Sequence, residues 1–203
     1  MIGIIDYGLG NIRAFGNIYK RLGIPYFYVQ KPEQLTQATK LILPGVGSFD
    51  FAMEKLNNSG MRDALDDLVL NQKMPVIGIC VGMQIMANSS EEGESAGLGW
   101  IDATVRKIVV DNHRKNPLPH MGWNTISVKK ESSLFLKIED NPQFYFLHSY
   151  YFDCADSERL AVANYSHDFN CIVSKDNIYG IQCHPEKSHH NGVTLLKNFG
   201  EVC

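Results

Sequence analysis

The sequence predicts an α/β fold with three layers, in which a mostly parallel central sheet is flanked by helices. Short apolar runs alternate with helical patterns through the first half, as they do in proteins with parallel sheets. The second half is richer in strand-like runs, which predicts additional antiparallel strands. With 203 residues, of which 44% are hydrophobic, the chain is long enough for one sizeable core. No linker or repeat interrupts it, so we expect a single domain, 1–203.

Each predicted element follows from the period of its apolar residues. In the first half, short continuous apolar runs predict buried strands at 2–5, 26–29, 41–43 and 76–79. Apolar residues spaced three and four apart predict helices at 11–22 and 61–70, and another from Val81 to Ala87. Strand patterns follow at 104–109, 125–128, 143–147, 160–163, 171–173 and 178–183, and a helix at 193–199 closes the chain.

Composition excludes several classes of function. A net charge of -3 gives no basic footprint for nucleic acid. No apolar run approaches the length of a membrane span, and the chain opens directly on a strand instead of a secretory signal. The five cysteines are scattered, odd in number and without CxxC pairing. We therefore expect reduced thiols in a cytoplasmic protein, with no structural metal and no cofactor.

The most informative stretch is residues 78–84 (GICVGMQ), where a buried strand turns into a helix with Cys80 at the corner. Such a corner exposes a nucleophile above a sheet and seats it at a helix N-terminus, which favours the thiolate. We expect Gly78 and Gly82 to leave room for a strained turn and for an approaching substrate. For an isolated cysteine, a buried structural thiol would be the better interpretation.

A second motif, His184-Pro185-Glu186, makes a catalytic thiol the better interpretation of Cys80. A thiol nucleophile needs a base, and histidine titrates in the right range. Proline biases the preceding residue to extended geometry, in which His184 and Glu186 leave the same face of the chain. Glu186 can then fix the tautomer of the base. The two motifs together predict a Cys80–His184–Glu186 site for acyl transfer.

These motifs resemble the two halves of the triad of class I glutamine amidotransferases. Five further stretches occur in the order of that family: 5–11 (IDYGLGN), 43–49 (LPGVGSF), 119–124 (PHMGWN), 147–150 (LHSY) and 184–188 (HPEKS). The chain most closely resembles the glutaminase subunits that pair with a (β/α)8-barrel cyclase. The resemblance implies a flavodoxin-like sheet, hydrolysis of L-glutamine, and no metal or cofactor.

The resemblance also implies roles for further residues. Backbone amides of Val46, Gly47 and Val81 would form the oxyanion hole. Gln84 would contact the substrate, and Glu92 would contact its ammonium group. The choice of Glu92 over the adjacent Glu91 rests only on the spacing in the family. The segment of His148, Ser149 and Tyr150 would line the α-carboxylate side, largely through its backbone. Residues implied at the partner interface are Asn11, Arg13, Trp123 and Lys187.

Because free ammonia is protonated in water, a glutaminase of this size is expected to deliver it through a partner. In the resembling family, the cyclase makes imidazole glycerol phosphate for histidine and a carboxamide ribotide for purines. One alternative is a paralogue feeding a sugar amidotransferase in surface-polysaccharide synthesis, because residues 188–191 (SHHN) depart from the family. Less favoured alternatives are a γ-glutamyl hydrolase-like peptidase and a non-catalytic binding subunit.

Three other patterns favour ordinary structural interpretations. Gly8-Leu9-Gly10 has Arg13 in place of the third glycine of a dinucleotide fingerprint, so a tight turn is the better interpretation. His120 lies in the segment 119–124, which the resemblance assigns to the interface, and no histidine or cysteine cluster supports a metal site there. The pair His189-His190 is expected to lie in a solvent-facing loop.

Overall fold

A computed structural model describes residues 1–110 and 116–203. Its strands are β1 (Ile2–Ile5), β2 (Tyr26–Val29), β3 (Lys40–Gly45), β4 (Val76–Cys80), β5 (Ser89–Ser90), β6 (Ala103–Lys107), β7 (His120–Val128), β8 (Gln143–His148), β9 (Tyr150–Cys154), β10 (Arg159–Tyr165), β11 (His167–Lys175) and β12 (Ile178–Ile181). Its helices are α1 (Ile12–Leu22), α2 (Phe49–Asn58), α3 (Arg62–Asp66), α4 (Val81–Gln84) and α5 (His189–Glu201). A π-helical turn continues α3 over Asp67–Asn71, and 3-10 turns lie at Pro32–Gln37, Ser133–Phe135 and Pro185–Lys187.

The strands form one mixed sheet along the path β2-β1-β3-β4-β12-β11-β10-β7-β8. The first five strands of this path are parallel, and the rest pair antiparallel. A branch of β5, β6 and β9 joins at β11. This architecture confirms the predicted α/β class, including the antiparallel strands of the second half.

Apolar content explains the parallel half. The strands β1, β3 and β4 are buried along nearly their whole length, as continuous apolar runs predict for strands covered on both faces. Helix α1 ends at Gly23, which adopts the left-handed conformation (φ 70°) of a typical helix C-terminus. Helices α1 and α5 contact each other, and α2 contacts α4.

Four of the differences between the structure and the predicted elements concern segments near the carboxyl edge of the parallel strands or the strands paired beside it. Helix α2 was not expected, although its buried residues Phe49, Ala52, Met53 and Leu56 have helical spacing. Helix α4 stops at Gln84 instead of Ala87. Strand β7 begins at His120, five residues before the predicted start. The sequence did not indicate its first half because only one residue there is buried, so no continuous apolar run marks it. Strand β9 was missed for the same reason, since only Phe152 is buried.

The carboxyl ends of three neighbouring parallel strands meet at one edge of the sheet. Gly45 of β3 pairs with Cys80 of β4, and Ile79 of β4 pairs with Ile181 of β12. In open α/β sheets, ligands bind at this edge. The register therefore brings the segments that follow β3, β4 and β12 together, although they lie far apart in the sequence.

Candidate active site

Cys80 lies at a strained corner between β4 and α4. Its backbone has φ 55° and ψ -114°, a conformation rare for any residue other than glycine. Strain of this kind costs about 1–3 kcal/mol and is concentrated at functional sites. The geometry is that of a strand–turn–helix corner that presents a nucleophile, and only 5% of the residue is exposed.

Gly82 serves a different purpose from the one the sequence suggested. Its φ is not in the left-handed region, and the strain at this corner is carried by Cys80 itself. A Cβ on Gly82 would lie 1.9 Å from the carbonyl oxygen of Leu43, and one on Gly78 would lie 2.6 Å from the carbonyl oxygen of Gly82. The two glycines allow α4 to contact the backbone of β3 and β4 directly, and this contact fixes the Cys80 corner.

His184 and Glu186 form a buried pair just after β12. His184 has extended backbone geometry, and its Nδ1 lies 3.1 Å from Glu186 Oε1. Their side chains are 8% and 4% exposed. The backbone N–H of His184 donates to the Tyr145 carbonyl, and the Ser188 hydroxyl donates to the His184 carbonyl. The predicted His184–Glu186 contact is present, but the predicted extended segment is not: Glu186 lies in the 3-10 turn Pro185–Lys187.

The environment of His184 favours its protonated form. Burial by itself lowers the pKa of His184, but hydrogen bonding and charge from Cys80 and Glu186 raise it to about 10. The second ring nitrogen, Nε2, is buried without a partner at hydrogen-bonding geometry, yet it lies close enough to Cys80 for the thiolate to act on it. A negative charge on Cys80 or Glu186 therefore stabilises the His184 imidazolium.

Cys80 and His184 open into one cavity of about 290 Å³. Ten of the predicted site residues line it, and Glu186 lies behind His184 instead of in the wall. The lining residues are Val46, Gly47, Cys80, Val81, Gln84, Glu92, Pro119, Leu147, His148, Ser149, Tyr150 and His184. The sequence did not predict Pro119 or Leu147 as cavity residues; each adjoins a predicted motif.

The structure distinguishes Glu92 from Glu91. Glu92 lines the cavity, and its Oε2 accepts a hydrogen bond of 2.8 Å from the backbone N–H of Phe49, at the start of α2. Glu91 points away from the cavity, where it contacts Arg106 and accepts from the N–H of Lys107. Only Glu92 is available to a ligand in the cavity.

Gln84 is buried in the cavity wall, and both of its N–H groups have partners. Its Nε2 lies 3.2 Å from the Tyr150 carbonyl and 3.0 Å from Oε1 of Gln182. A ligand can therefore reach Gln84 only at its carbonyl oxygen. The sequence did not predict a role for Gln182, although it is the polar residue inside the otherwise apolar run that leads to His184.

The residues expected at an interface are exposed but do not line the cavity itself. Trp123 is 45% exposed and Met121, two positions before it on β7, is 65% exposed. Lys187 holds its ammonium 5.5 Å from the centre of the Tyr145 ring. Asn11 and Arg13 are exposed at the start of α1. Asn11 also lines a small recess that contains His184 and Glu186.

Two predictions about histidines are wrong. His120 does not face an interface: it is buried, and its Nδ1 lies 2.9 Å from Nε2 of His148. His189 and His190 are exposed but begin α5 instead of lying in a loop. The His189 ring stacks on Trp123, with centroids 5.0 Å apart and planes at 5°. His189 also has φ 47°, a strained conformation that directs the chain into the helix.

Among residues 1–110 and 116–203, no group of three or more His, Cys, Asp or Glu side chains is arranged to hold a metal ion. In the same ranges, no helix is long and apolar enough to cross a membrane.

Comparison with known proteins identifies the class to which this fold and site belong. The family model described as "Glutamine amidotransferase class-I" matches residues 4–202. Relatives from Leptospira borgpetersenii and Bdellovibrio bacteriovorus are 52% and 53% identical, each covering 100% of both chains, and both are named "Imidazole glycerol phosphate synthase subunit HisH". The chain therefore belongs to the class-I glutamine amidotransferases and, within that class, to the family of these HisH subunits. It is a glutamine amidotransferase enzyme.

Solved structures agree on the fold. A crystal structure of a glutamine amidotransferase superposes with a TM-score of 0.75 at 20% identity, over 98% of each chain. A second glutamine amidotransferase, from Thermotoga maritima, superposes with a TM-score of 0.64 at 18% identity, over 91% of this chain and 75% of that one.

Proposed function

We propose that this chain is a glutaminase subunit that hydrolyses L-glutamine to glutamate and passes the ammonia to a synthase partner. The observation that carries the proposal is the cavity into which both Cys80 and His184 open, with Glu186 hydrogen-bonded behind the histidine. A nucleophile, its base and the group that orients the base are the parts that acyl transfer requires. We also propose that one domain spans residues 1–203, since the sheet path runs without a break from β2 to β8.

In the first step, the Cys80 thiolate attacks the carboxamide carbon and forms a C–S bond. The C–N bond then breaks, and the His184 imidazolium gives its proton to the departing ammonia. The raised pKa of His184 keeps the imidazolium proton available before the substrate arrives. In the second step, water gives a proton to His184 and attacks the thioester carbon. The C–S bond breaks, and glutamate leaves with the thiolate restored.

Charge develops on the carbonyl oxygen in both steps. The loop of Val46 and Gly47 after β3 and the first residue of α4, Val81, lie on the same cavity as Cys80. Backbone N–H groups from these two segments would hold the oxyanion, an effect of about 3–4 kcal/mol per donor in comparable enzymes. Gly47 has φ 88°, which gives that loop the freedom to turn a peptide toward the cavity.

Glutamine fits the remaining cavity wall. Glu92 offers a carboxylate to the substrate ammonium, and the Gln84 carbonyl oxygen faces the carboxamide end. The segment of His148, Ser149 and Tyr150 forms the opposite wall, where its backbone would meet the α-carboxylate. A volume of about 290 Å³ favours a free amino acid over the larger substrate of a γ-glutamyl peptidase.

The names of the relatives favour a partner from imidazole glycerol phosphate synthase. We propose that this partner is a (β/α)8-barrel cyclase of histidine biosynthesis, and that it docks over the cavity mouth. Val46 and Leu147 are exposed apolar residues of the cavity wall, Met121 pairs with Leu147 across β7 and β8, and Trp123 lies two residues further along β7. Asn11, Arg13 and Lys187 would add polar contacts. Five free cysteines fit a reducing compartment such as the cytoplasm.

The test is a glutaminase assay on the wild-type chain and on Cys80→Ala, each with and without the barrel cyclase from the same organism. We expect the wild type to release glutamate fastest with the cyclase present and Cys80→Ala to lose more than about a thousandfold of that rate. Cys203→Ala, which removes a thiol far from the cavity, is the matched control and should keep full activity. Equal release from wild type and Cys80→Ala would overturn the assignment. Stimulation by a sugar amidotransferase but not by the cyclase would overturn the pathway alone.

A further inference from the structure

Gln182 is a buried amide that the steps above do not use. It follows β12, is fully buried, and lies two residues before His184. Its Nε2 lies 3.7 Å from Cys80 Sγ, within hydrogen-bonding range for sulfur, and its Oε1 accepts from Gln84. Leaving a buried amide unpaired costs about 1–3 kcal/mol. The two partners of the Gln182 amide, Cys80 and Gln84, therefore indicate what this side chain does.

The direction of these hydrogen bonds is fixed by the backbone carbonyl of Tyr150. A carbonyl oxygen only accepts, so the Gln84 atom 3.2 Å away must be its NH2 group. The same nitrogen lies 3.0 Å from Gln182, and the Gln182 atom that faces it must therefore be the oxygen. The other end of the Gln182 amide, which faces Cys80, is then the N–H donor. Turning that amide over would leave two donors facing each other and would direct an oxygen at the sulfur.

The Tyr150 carbonyl also fixes the direction of a second series of hydrogen bonds, which runs through His148 and His120 to Asn124. His148 Nδ1 lies 2.8 Å from the Tyr150 carbonyl and must donate to it, so His148 Nε2 accepts from His120 Nδ1. Asn124 then donates to the last free nitrogen of His120 at 3.3 Å. Burial lowers the pKa of His148 to about 3 and that of His120 to about 4, so both rings are neutral at pH 7. Because Gln84 and His148 both donate to it, the Tyr150 carbonyl cannot turn away from Gln84.

We propose that Gln182 is a further catalytic residue, whose side-chain N–H donates to the Cys80 sulfur and stabilises the thiolate. Hydrogen bonds to an ionised acceptor are about twice as strong as neutral ones, so this donor favours the thiolate over the thiol. It also fixes the direction in which the sulfur presents its lone pairs. Gln84 and His148 act as positioning residues. The proposal rests on the proposed function in one respect, that Cys80 is the nucleophile.

Other titratable groups face Cys80 from the neighbouring elements. His184 approaches from the segment after β12 and stabilises the thiolate by charge. Tyr7, after β1, donates its hydroxyl to the Pro44 carbonyl at 2.6 Å, and burial raises its pKa. Burial likewise raises the pKa of the Cys183 thiol, which stays protonated. Gln182 is thus a neutral donor that acts on Cys80 beside the cationic side chain of His184.

The test measures the acidity of Cys80 directly. Alkylation by iodoacetamide is followed from pH 5 to 10, and the modified Cys80 peptide is quantified by mass spectrometry. We expect Gln182→Met to raise the midpoint of the alkylation profile by about one pH unit, a tenfold loss of rate below the midpoint. Gln182→Asn, which keeps an amide but shortens it by one methylene, should shift it in the same direction. In the complex with the cyclase, kcat should fall in both variants while KM for glutamine stays unchanged.

Asn198→Leu is the control, because it removes another buried amide, which donates to the carbonyls of Leu134 and Leu136. It should lower the melting temperature without moving the midpoint. Should Gln182→Met fail to fold, Gln182→Asn decides the outcome. A wild-type midpoint in a folded Gln182 variant would overturn the proposal. That result would leave the glutaminase assignment intact as long as Cys80→Ala is inactive. An active Cys80→Ala would overturn both the assignment and the catalytic role of Gln182, and a shifted alkylation midpoint would then report only a hydrogen bond to the Cys80 sulfur.

Discussion

The inner wall of the cavity and its outer rim are built by different means. By inner wall we mean Cys80, Gln84 and His184 of the cavity lining together with Gln182, which is hydrogen-bonded to the first two from behind; all four are at most 6% exposed. By outer rim we mean Val46 and Leu147 of the cavity lining together with Met121 and Trp123 on the strand paired with Leu147; these are 36–65% exposed. Polar side chains of the inner wall are held by hydrogen bonds whose direction is fixed. Rim side chains are apolar and leave much of their surface to solvent.

This difference separates the chemistry from the docking. A change in the inner wall disturbs backbone contacts and buried hydrogen bonds, so it should affect stability and catalysis together. A change in the outer rim removes surface that another protein can cover, so it should affect association alone. Four predictions test this separation.

The largest effect is expected from Gly82→Ala, which places a side chain against the backbone that supports the inner wall. The new Cβ would lie 1.9 Å from the Leu43 carbonyl oxygen, which has no space to retreat within the sheet. We expect a loss of about 3–5 kcal/mol in the free energy of unfolding, measured by urea denaturation, together with loss of glutaminase activity. Gly23→Ala is the control: with open space around it but φ 70°, it should cost only about 1 kcal/mol and leave activity intact.

Trp123→Ala tests the outer rim. Trp123 stacks on His189, lies edge-on to the Tyr145 ring and is 45% exposed, so the free energy of unfolding should change by only about 1 kcal/mol. Affinity for the cyclase should fall by about 2–3 kcal/mol, as for an aromatic anchor at an interface, measured by calorimetry. Leu136→Ala, an equally exposed side chain away from the cavity, should leave that affinity unchanged. Strong destabilisation of Trp123→Ala would contradict the separation.

The pH dependence of stability reports on the buried histidines of the cavity. Because the folded pKa values of His120 and His148 lie below that of free histidine, the unfolded state binds more protons below pH 6.5. Stability should fall by about 4 kcal/mol from pH 6.5 to 4.5, roughly half of it from each histidine, measured by thermal melts. His184 acts oppositely: its contribution is complete below pH 6.5 and is lost as the pH rises toward 10. His190→Gln, at an exposed position, should leave both arms of the profile unchanged.

Glu92→Gln should have the smallest effect, because it lies between the two regions and keeps its hydrogen-bond acceptor for Phe49. Only the charge facing the substrate ammonium is lost. We expect KM for glutamine to rise about tenfold, with kcat and stability little changed. The matched variant Glu91→Gln should leave KM as in the wild type. A larger effect of Glu91→Gln would show that the wrong carboxylate had been assigned to the cavity.

The fold class and the catalytic motifs could be predicted because they depend on local patterns. Strands β1, β3 and β4 are continuous apolar runs, and burial on both faces requires that composition. The contact between His184 and Glu186 is local as well, because the two residues are two positions apart, although a 3-10 turn and not an extended segment brings them together. Strand β9 and the first half of β7 lie partly exposed, and their sequences carry weaker signals for that reason.

The hydrogen-bond partners inside the cavity could not be predicted, because they depend on register between distant strands. Nothing local distinguishes Glu91 from Glu92, since the choice depends on where the loop meets the start of α2. The buried contact of His120 with His148 needs the pairing of β7 with β8. Gln182 had one signal, a polar residue within an apolar run, and its partner Cys80 is adjacent only because β12 pairs with β4.

That pairing of β12 with β4 has a consequence for synthesis of the chain. About a hundred residues separate Cys80 from His184, so the ribosome releases the nucleophile well before its base. Strand β4 can pair with β3 early, but its other edge stays open until β12 arrives. A nascent chain therefore carries a thiol without an imidazole beside it and cannot consume glutamine. Ammonia release begins only when the sheet is complete.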